Sequence, residues 1–318
     1  MKILVTGGAG FIGSNFIRHM LNTHRNYKIC NLDKLTYAGN LDNLKDLESH
    51  PRYTFIKGDV CDKRLVLEII KQSDAVINFA AETHVDNSIK DSNEFINTNV
   101  KGTQTLLDCA KICRVKKFIQ ISTDEVYGSV KTGSSKEEDK LEPNSPYSAS
   151  KAAAEMLARA YNITFKVPVI ITRSSNNYGP YQHPEKLIPL FITNILSGKK
   201  VPLYGDGLNV RDWLHVQDNC EAIDHILHNG EVGEVYNIGG ENERNNLEIT
   251  KLVLEELNKG EDYIEFVKDR PGHDKRYSLS ISKIKKLGWQ PKQDFKRAIG
   301  ETVKWYKENR TWWLKLKS

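Results

Sequence analysis

The sequence is poor in cysteine, has no long apolar run and carries little excess charge. Its five cysteines stand at positions 30, 61, 109, 113 and 220. The number is odd and no Cys-x-x-Cys pair occurs, which argues against a disulfide framework or a zinc site. Cys109 and Cys113 are one helical turn apart, but no histidine joins them at ligand spacing. No metal is expected, and all five read as reduced thiols of a cytoplasmic protein. No segment is long enough to cross a membrane, and a strand that begins at residue 2 leaves no room for a signal peptide. The formal net charge of +5 over 318 residues is too small to point to nucleic acid as a partner. Repeats and low-complexity tracts are missing too. With 39% hydrophobic and 27% charged residues, what remains is a globular chain of one large domain or two ordinary ones.

What is present starts with residues 1–13, Met-Lys-Ile-Leu-Val-Thr-Gly-Gly-Ala-Gly-Phe-Ile-Gly. Ile3, Leu4 and Val5 form the short apolar run of a strand covered on both faces. Glycines follow at 7, 8, 10 and 13. Such a turn allows a sharp reversal, a close approach of backbone to a pyrophosphate and tight packing of the next helix, here through Gly13. The phosphates would sit on the free N–H groups that open the helix. That helix carries Ile12, Phe16, Ile17, Met20 and Leu21 on one face. Asp33 ends the next apolar run, where a dinucleotide fold sets an acid against the ribose hydroxyls. The carboxylate favours NAD over NADP, with Lys34 beside it as the one dissenting charge.

Strand-like runs recur at 28–32, 53–56, 75–80, 117–122 and 167–172. Helical patterns cover about 63–71, 93–113 and 146–165. The alternation predicts a Rossmann-type, doubly wound α/β fold with helices on both faces of a parallel sheet. Residues 129–144 read as a surface loop near its ligand edge. After residue 174 prolines and glycines become frequent. Helices are expected at 185–197, 218–228, 246–258 and 294–308, and a strand at 234–238. We read an NAD-binding domain over 1–174, rejoined by a return pass near 209–240. A smaller mixed α/β lobe, mainly 175–318, would bind substrate. The tail from Trp312 reads as a docked end with nothing catalytic in it.

Tyr147 and Lys151 follow Ser145 and Pro146, which suit an N-cap and a first helical position. Spaced i and i+4, they share a helix face. A nearby ammonium favours the phenolate, so the Tyr147 pKa is expected to fall and the side chain to serve as a general base.

The glycine pattern at 7–13 with Tyr147-x-x-x-Lys151 resembles the extended short-chain dehydrogenases/reductases that act on nucleotide sugars. Further segments narrow the likeness: residues 33–40, the Thr123-Asp124-Glu125 triplet within 121–128, 173–189, 211–216 and 269–273. Together they resemble the dTDP-glucose 4,6-dehydratases from the first strand to the last helix. The resemblance implies an NAD-dependent hydro-lyase that turns dTDP-glucose into the 4-keto-6-deoxy sugar for deoxysugar synthesis, such as that of rhamnose. Tyr147 would take the 4-hydroxyl proton while hydride leaves C4. Glu125 would remove the C5 proton, and Asp124 would protonate the departing 6-hydroxyl. Thr123 would hold the sugar O4, and Lys151 would support Tyr147. Two adjacent carboxyls must then hold opposite protonation states, which a shared desolvated site permits.

The resemblance also implies binding residues. Gly7, Gly10, Phe11, Ile12 and Gly13 would meet the pyrophosphate, and Asp33, Lys34, Leu35 and Thr36 the adenosine ribose. Asp59 and Val60 would meet the adenine, and Ala80, Ala81, Thr98 and Asn177 the rest of the cofactor. Thr83 and Asn176 would hold the sugar. Lys186, Leu187, Pro202, Leu203, Tyr204, Arg211, Asn246, Asp269, Arg270, Pro271, Gly272 and His273 would grip the nucleotide diphosphate. A homodimer through the helices around 93–113 and 146–165 is implied as well. One departure is Asn87, where arginine is expected. The rival readings are a nucleotide-sugar 4-epimerase or decarboxylase, which would not need Asp124 and Glu125, and a non-catalytic NAD-binding regulator. The nucleotide base stays open at this point.

Overall fold

The computed structural model describes residues 1–317. In chain order its strands are β1 (Lys2–Thr6), β2 (Lys28–Asp33), β3 (Tyr53–Lys57), β4 (Ala75–Asn78), β5 (Lys117–Thr123), β6 (Val169–Ser174), β7 (Asn176–Tyr178), β8 (Val201–Tyr204), β9 (Val210–His215), β10 (Val235–Ile238), β11 (Glu243–Asn245) and β12 (Ile264–Val267). The α-helices are α1 (Phe11–Thr23), α2 (Lys63–Ile70), α3 (Val85–Lys90), α4 (Asn93–Phe95), α5 (Thr103–Cys113), α6 (Pro146–Phe165), α7 (Leu187–Leu196), α8 (Val216–Asn229), α9 (Asn246–Glu256), α10 (Ser282–Leu287), α11 (Phe295–Glu308) and α12 (Arg310–Leu314).

Seven strands form one parallel sheet in the order β10-β6-β5-β4-β1-β2-β3. Side chains alternate across it. Ile3, Val5, Ile77 and Ile119 face α1 and α8 in one core, while Leu4, Val76 and Phe118 face residues of α2, α5 and α6 in another. Burial on both faces is why these strands read as unbroken apolar runs. The order reverses between β1 and β4, and the ligand crevice of such a sheet opens there.

The return pass runs through α8 and β10. Residues 210–215 instead form β9, the middle strand of a small sheet ordered β11-β9-β7. Ile281, Ile284 and Trp289 also pack into the first core. The remaining late elements bury a separate core that includes Tyr178, Phe191, Trp213, Val253, Tyr306 and Trp313.

The helix expected over 93–113 is interrupted. Residues Ile96–Gly102 form a π-helical segment between α4 and α5. Asn99 explains the extra residue in this turn. Its side chain accepts from the Glu82 amide at 2.9 Å and donates to the Glu82 carbonyl at 3.1 Å and Ser150 Oγ at 2.8 Å. Such bulges are frequent at functional sites, and Thr98 within this one faces the ligand cleft.

Candidate active site

The cleft lies over the carboxyl ends of the central strands. Its floor is the glycine turn after β1. A methyl group on Gly13 would lie 2.4 Å from the Gly7 carbonyl oxygen, and one on Gly7 would lie 2.7 Å from Ala80 backbone atoms. Side chains are therefore excluded where the turn meets α1 and β4. Gly7 also has φ +67°, a conformation that favours glycine. Asp33 Oδ2 accepts from the Ala9 amide at 2.9 Å and Oδ1 from the Leu35 amide at 2.8 Å. Burial raises the Asp33 pKa, and the two N–H groups oppose that rise. Lys34 reaches Asp59 at 2.9 Å, so its charge is already engaged and does not mark a ribose-phosphate site. A close-approach turn, a buried acid at the end of β2 and a long cleft fit a dinucleotide with free ribose hydroxyls.

Opposite the turn, β5 ends in Thr123. Its Oγ1 accepts from the Glu125 amide at 3.3 Å and donates to Asp124 Oδ1 at 3.2 Å. This hydroxyl caps the short 3-10 turn Asp124–Tyr127 and fixes the pair of acids. Asp124 is buried and its Oδ2 has no hydrogen-bond partner. Burial, and then the Glu125 charge, raise its pKa far above the carboxylate range. Glu125 is partly exposed to the cleft. Burial raises it too, but Arg270, Arg211 and Lys186 pull the other way. Both carboxyls are raised, Asp124 the further, and the surrounding cations favour Glu125 as the anionic member of the pair.

Ser145 and Ser148 form a capping box around Pro146, and this starts α6 so that Tyr147 and Lys151 reach the cleft. The expectation that Lys151 lowers the Tyr147 pKa is not met here. Burial, then Glu125 and Asp124, push the phenol pKa well up. Lys151 Nζ instead donates to the Ile121 carbonyl at 2.6 Å, and burial lowers its own pKa to about 8.

Gly7, Gly10, Phe11, Ile12, Gly13, Asp33, Lys34, Thr36, Asp59, Val60, Ala80, Ala81, Thr83, Thr98, Asn176, Asn177 and Lys186 line this same cleft with the catalytic candidates. Leu35 contributes its amide to Asp33. The remaining candidates are not among its lining residues, although Arg211 and Arg270 lie near enough to act on the Glu125 charge. Arg211 lies 4.2 Å over the Tyr277 ring and donates to the Asp274 carbonyl at 3.0 Å. Tyr204 and Arg270 both approach Asp86, at 3.3 and 3.5 Å, and His273 meets Asp269 at 2.6 Å. Asn246 Oδ1 is buried without a partner. Pro202 is half-buried on β8, and Pro271 and Gly272 are exposed. Leu187 packs against the second core, and the Leu203 side chain is buried within it, which leaves its backbone as the part that could meet a ligand. Asn87 is exposed on α3.

The family model for GDP-mannose 4,6 dehydratase matches residues 4–302. A curated dTDP-glucose 4,6-dehydratase from Streptomyces niveus is 50% identical over 323 residues, covering 100% of this chain and 96% of its own. The chain belongs to the dTDP-glucose 4,6-dehydratase family. A Streptomyces venezuelae dTDP-glucose 4,6-dehydratase solved with NAD and dTDP superposes with a TM-score of 0.98, at 50% identity over 99% of this chain and 100% of that one. The Bacillus anthracis dTDP-glucose 4,6-dehydratase solved with NAD gives 0.93, at 55% identity over 99% of each chain.

Beyond the residues carried by the dehydratase motifs, the cleft holds several that sequence reading passed over. Ser122, Ser174 and Ser175 border it from the ends of β5 and β6. Tyr37 donates to Glu185 Oε1 at 3.1 Å, and Lys186 Nζ to the Thr83 carbonyl at 3.0 Å, so the second lobe is tied to the cofactor side. Trp312 and Leu316 also line the cleft. The tail is docked, and docked against the ligand site. Trp312 Nε1 donates to Asn43 Oδ1 at 2.8 Å, and Asn43 Nδ2 donates to the Ala9 carbonyl at 2.8 Å. Ala9 in turn holds Asp33. No local signal marks Trp312, because its partners come from the other end of the sequence.

Proposed function

We propose that this protein converts dTDP-glucose into dTDP-4-keto-6-deoxy-glucose with NAD as its resident cofactor. The observation that carries this reading is the unequal pair at the end of β5. An elimination across C5 and C6 needs one carboxyl that gives a proton and one that takes a proton, side by side. Both acids are desolvated, but Asp124 faces the Glu125 charge with only Arg211 against it, whereas Glu125 faces Arg270, Arg211 and Lys186. An epimerase needs neither state, and a binding-only protein has no use for such a division.

Each side chain then has a task. Tyr147 is the group placed to accept the proton of the sugar 4-hydroxyl, as a phenolate that the positive charge of a bound nicotinamide would favour against burial, and Thr123 holds O4 in place as charge develops there. Glu125 removes the C5 proton, which the adjacent 4-ketone makes acidic. Asp124 delivers its proton to the 6-hydroxyl, so water can leave. When bound, NAD would be held by the glycine turn and the Ala9–Asp33 side and would supply the oxidation at C4 and the matching reduction at C6. The proton on Glu125 returns to C5 as C6 is reduced. Lys151 supports the Tyr147 side of the cleft from the same helix face. Arg211, Arg270 and Lys186 suit the diphosphate, since guanidinium groups grip phosphate oxygens in a bidentate way.

We assign NAD to the domain of residues 1–174 with its return pass, and the nucleotide sugar mainly to 175–318. The enzyme works in the cytoplasm as a homodimer. In support of the dimer, Ile89, Ile96, Ile112, Met156, Ile163 and Phe165 are all exposed on or beside α3 to α6. Covering this group of neighbouring apolar side chains would be favourable.

The purified protein is incubated with dTDP-glucose and with UDP-glucose in separate reactions, without added reductant, and each product is weighed by mass spectrometry. Loss of one water from the dTDP sugar is expected. Loss of water from the UDP sugar alone would change the base assigned. An isomer of unchanged mass would replace the dehydratase by an epimerase.

A further inference from the structure

Three of the chain's nine histidines converge on one carboxylate away from the cleft. Asp224 is on α8. Its Oδ2 lies 2.8 Å from His19 Nε2 and 2.9 Å from His24 Nε2. Its Oδ1 lies 2.9 Å from His24 Nε2 and 3.1 Å from His228 Nδ1. Asp224 and His228 are i and i+4 on one helix face. His24 is the C-cap of α1, whose other end begins at the glycine turn. At 1.5 Å per residue the two ends are roughly 20 Å apart. The His24 ring stacks on those of His228 and Tyr27, with centroids 5.0 and 4.4 Å away. None of these residues lines the cleft, and the reaction described above does not use them.

The ligand chemistry is mixed imidazole and carboxylate. One nitrogen from each of His24 and His228 and one oxygen of Asp224 lie within 4.8 Å of one another. Two ligands at zinc bond lengths in a tetrahedron stand roughly 3.3 Å apart, so the two nitrogen-to-oxygen spacings need to open by only a few tenths of an ångström, and the two nitrogens lie within 4.8 Å of each other. The outer contacts are those that metal sites use. His19 can orient the carboxylate. Tyr27 Oη, 2.8 Å from His228 Nε2, can hold that ring with Nδ1 toward the ion. His228 is also the most exposed of the four, with 34% of its side chain accessible, which leaves an open side for a water ligand.

We propose that His24, Asp224 and His228 form a binding site for one divalent transition-metal ion of the zinc type. Imidazole nitrogen with a single carboxylate selects such an ion over magnesium or calcium, which require several oxygens. The ion pins the end of α1 to α8. It is structural, because no reacting group lies within reach.

The test uses the full chain after treatment with a chelator and dialysis. Titration calorimetry with Zn²⁺ should show one ion per chain. The thermal unfolding midpoint should rise with Zn²⁺, and Mg²⁺ at equal concentration should leave it unmoved. His24→Gln and His228→Gln should each abolish the stoichiometric uptake while turnover of the nucleotide sugar stays at the wild-type rate. His228 is exposed enough that its variant should fold even if the His24 variant does not. The proposal is overturned if no stoichiometric uptake occurs, if Mg²⁺ competes on equal terms, or if uptake survives in the folded His228→Gln protein.

Discussion

Asp124→Asn separates the acid from everything else in the cleft. The amide is nearly the same size and shape. Its oxygen can keep the Thr123 bond seen at 3.2 Å, and its nitrogen takes the place of the orphaned Oδ2. Stability should change little, since burying a carboxyl beside Glu125 is already unfavourable. The amide, however, has no proton to give to a leaving hydroxyl. A positioned general acid contributes about 10²–10⁴-fold, or about 3–5 kcal/mol of barrier. Loss of water should slow by that factor. Tyr147 and the glycine turn are untouched, so oxidation at C4 should persist. Removal of the C5 proton by Glu125 should persist too. The assay is single turnover with dTDP-glucose in deuterium oxide. Product mass follows water loss, deuterium at C5 follows the base, and near-ultraviolet absorbance follows oxidation at C4. Asp124→Asn should give exchange without elimination, and Glu125→Gln should give neither. Elimination at the normal rate in Asp124→Asn would refute the assignment of the acid. Loss of C5 exchange in the same variant would show that the two carboxyls cannot be treated separately.

Gly13→Ala places a methyl group 2.4 Å from the Gly7 carbonyl, a backbone atom that can yield only if the turn shifts. Overpacking of this kind costs about 1–3 kcal/mol, and NAD affinity measured by calorimetry should fall about tenfold to a hundredfold. Glu155→Gln removes the anion paired with buried Arg173, whose guanidinium lies 2.7 Å away. Breaking a buried pair from one side costs about 3–5 kcal/mol, which urea unfolding should read as a lowered midpoint with an unchanged slope. Lys151 adds a pH dependence. Burial lowers its folded pKa to about 8, so the folded state binds this proton less tightly than the unfolded chain. Below about pH 8 the cost is constant; from there toward the ordinary lysine value, stability should rise with pH by up to roughly 3 kcal/mol. That slope, followed by unfolding between these limits, should disappear in Lys151→Met.

The sheet was legible because its strands are buried on both faces and so read as apolar runs. The glycine turn and Asp33 were legible because backbone geometry restricts which residues can stand there. The triplet at 123–125 was legible through its likeness to a family, and the structure adds what sequence cannot: which cations face which acid. The errors have one cause. Lys151 was paired with Tyr147 by helical spacing, but its ammonium is spent on the Ile121 carbonyl. The helix over 93–113 hid a π segment, because Asn99 answers to Glu82 and Ser150 on other elements. The Leu203 side chain fills the second core, so only its backbone is left to meet a ligand. The histidine cluster was invisible for the same reason, since its two halves lie 200 positions apart.

The bond from Trp312 to Asn43 spans 269 positions. The glycine turn is often treated as a portable cassette, but here it is keyed to this particular scaffold. A chimera that grafted residues 1–174 onto another chain would leave Asn43 Oδ1 without its indole donor. The amide would then be free to rotate away from Ala9, and the carboxylate that Ala9 steadies would lose its template. Contacts of such long range also form late, after slow loop closure. The nucleotide pocket should therefore ripen at the end of folding, with cofactor capture acting as a latch on the finished molecule rather than as a seed for it.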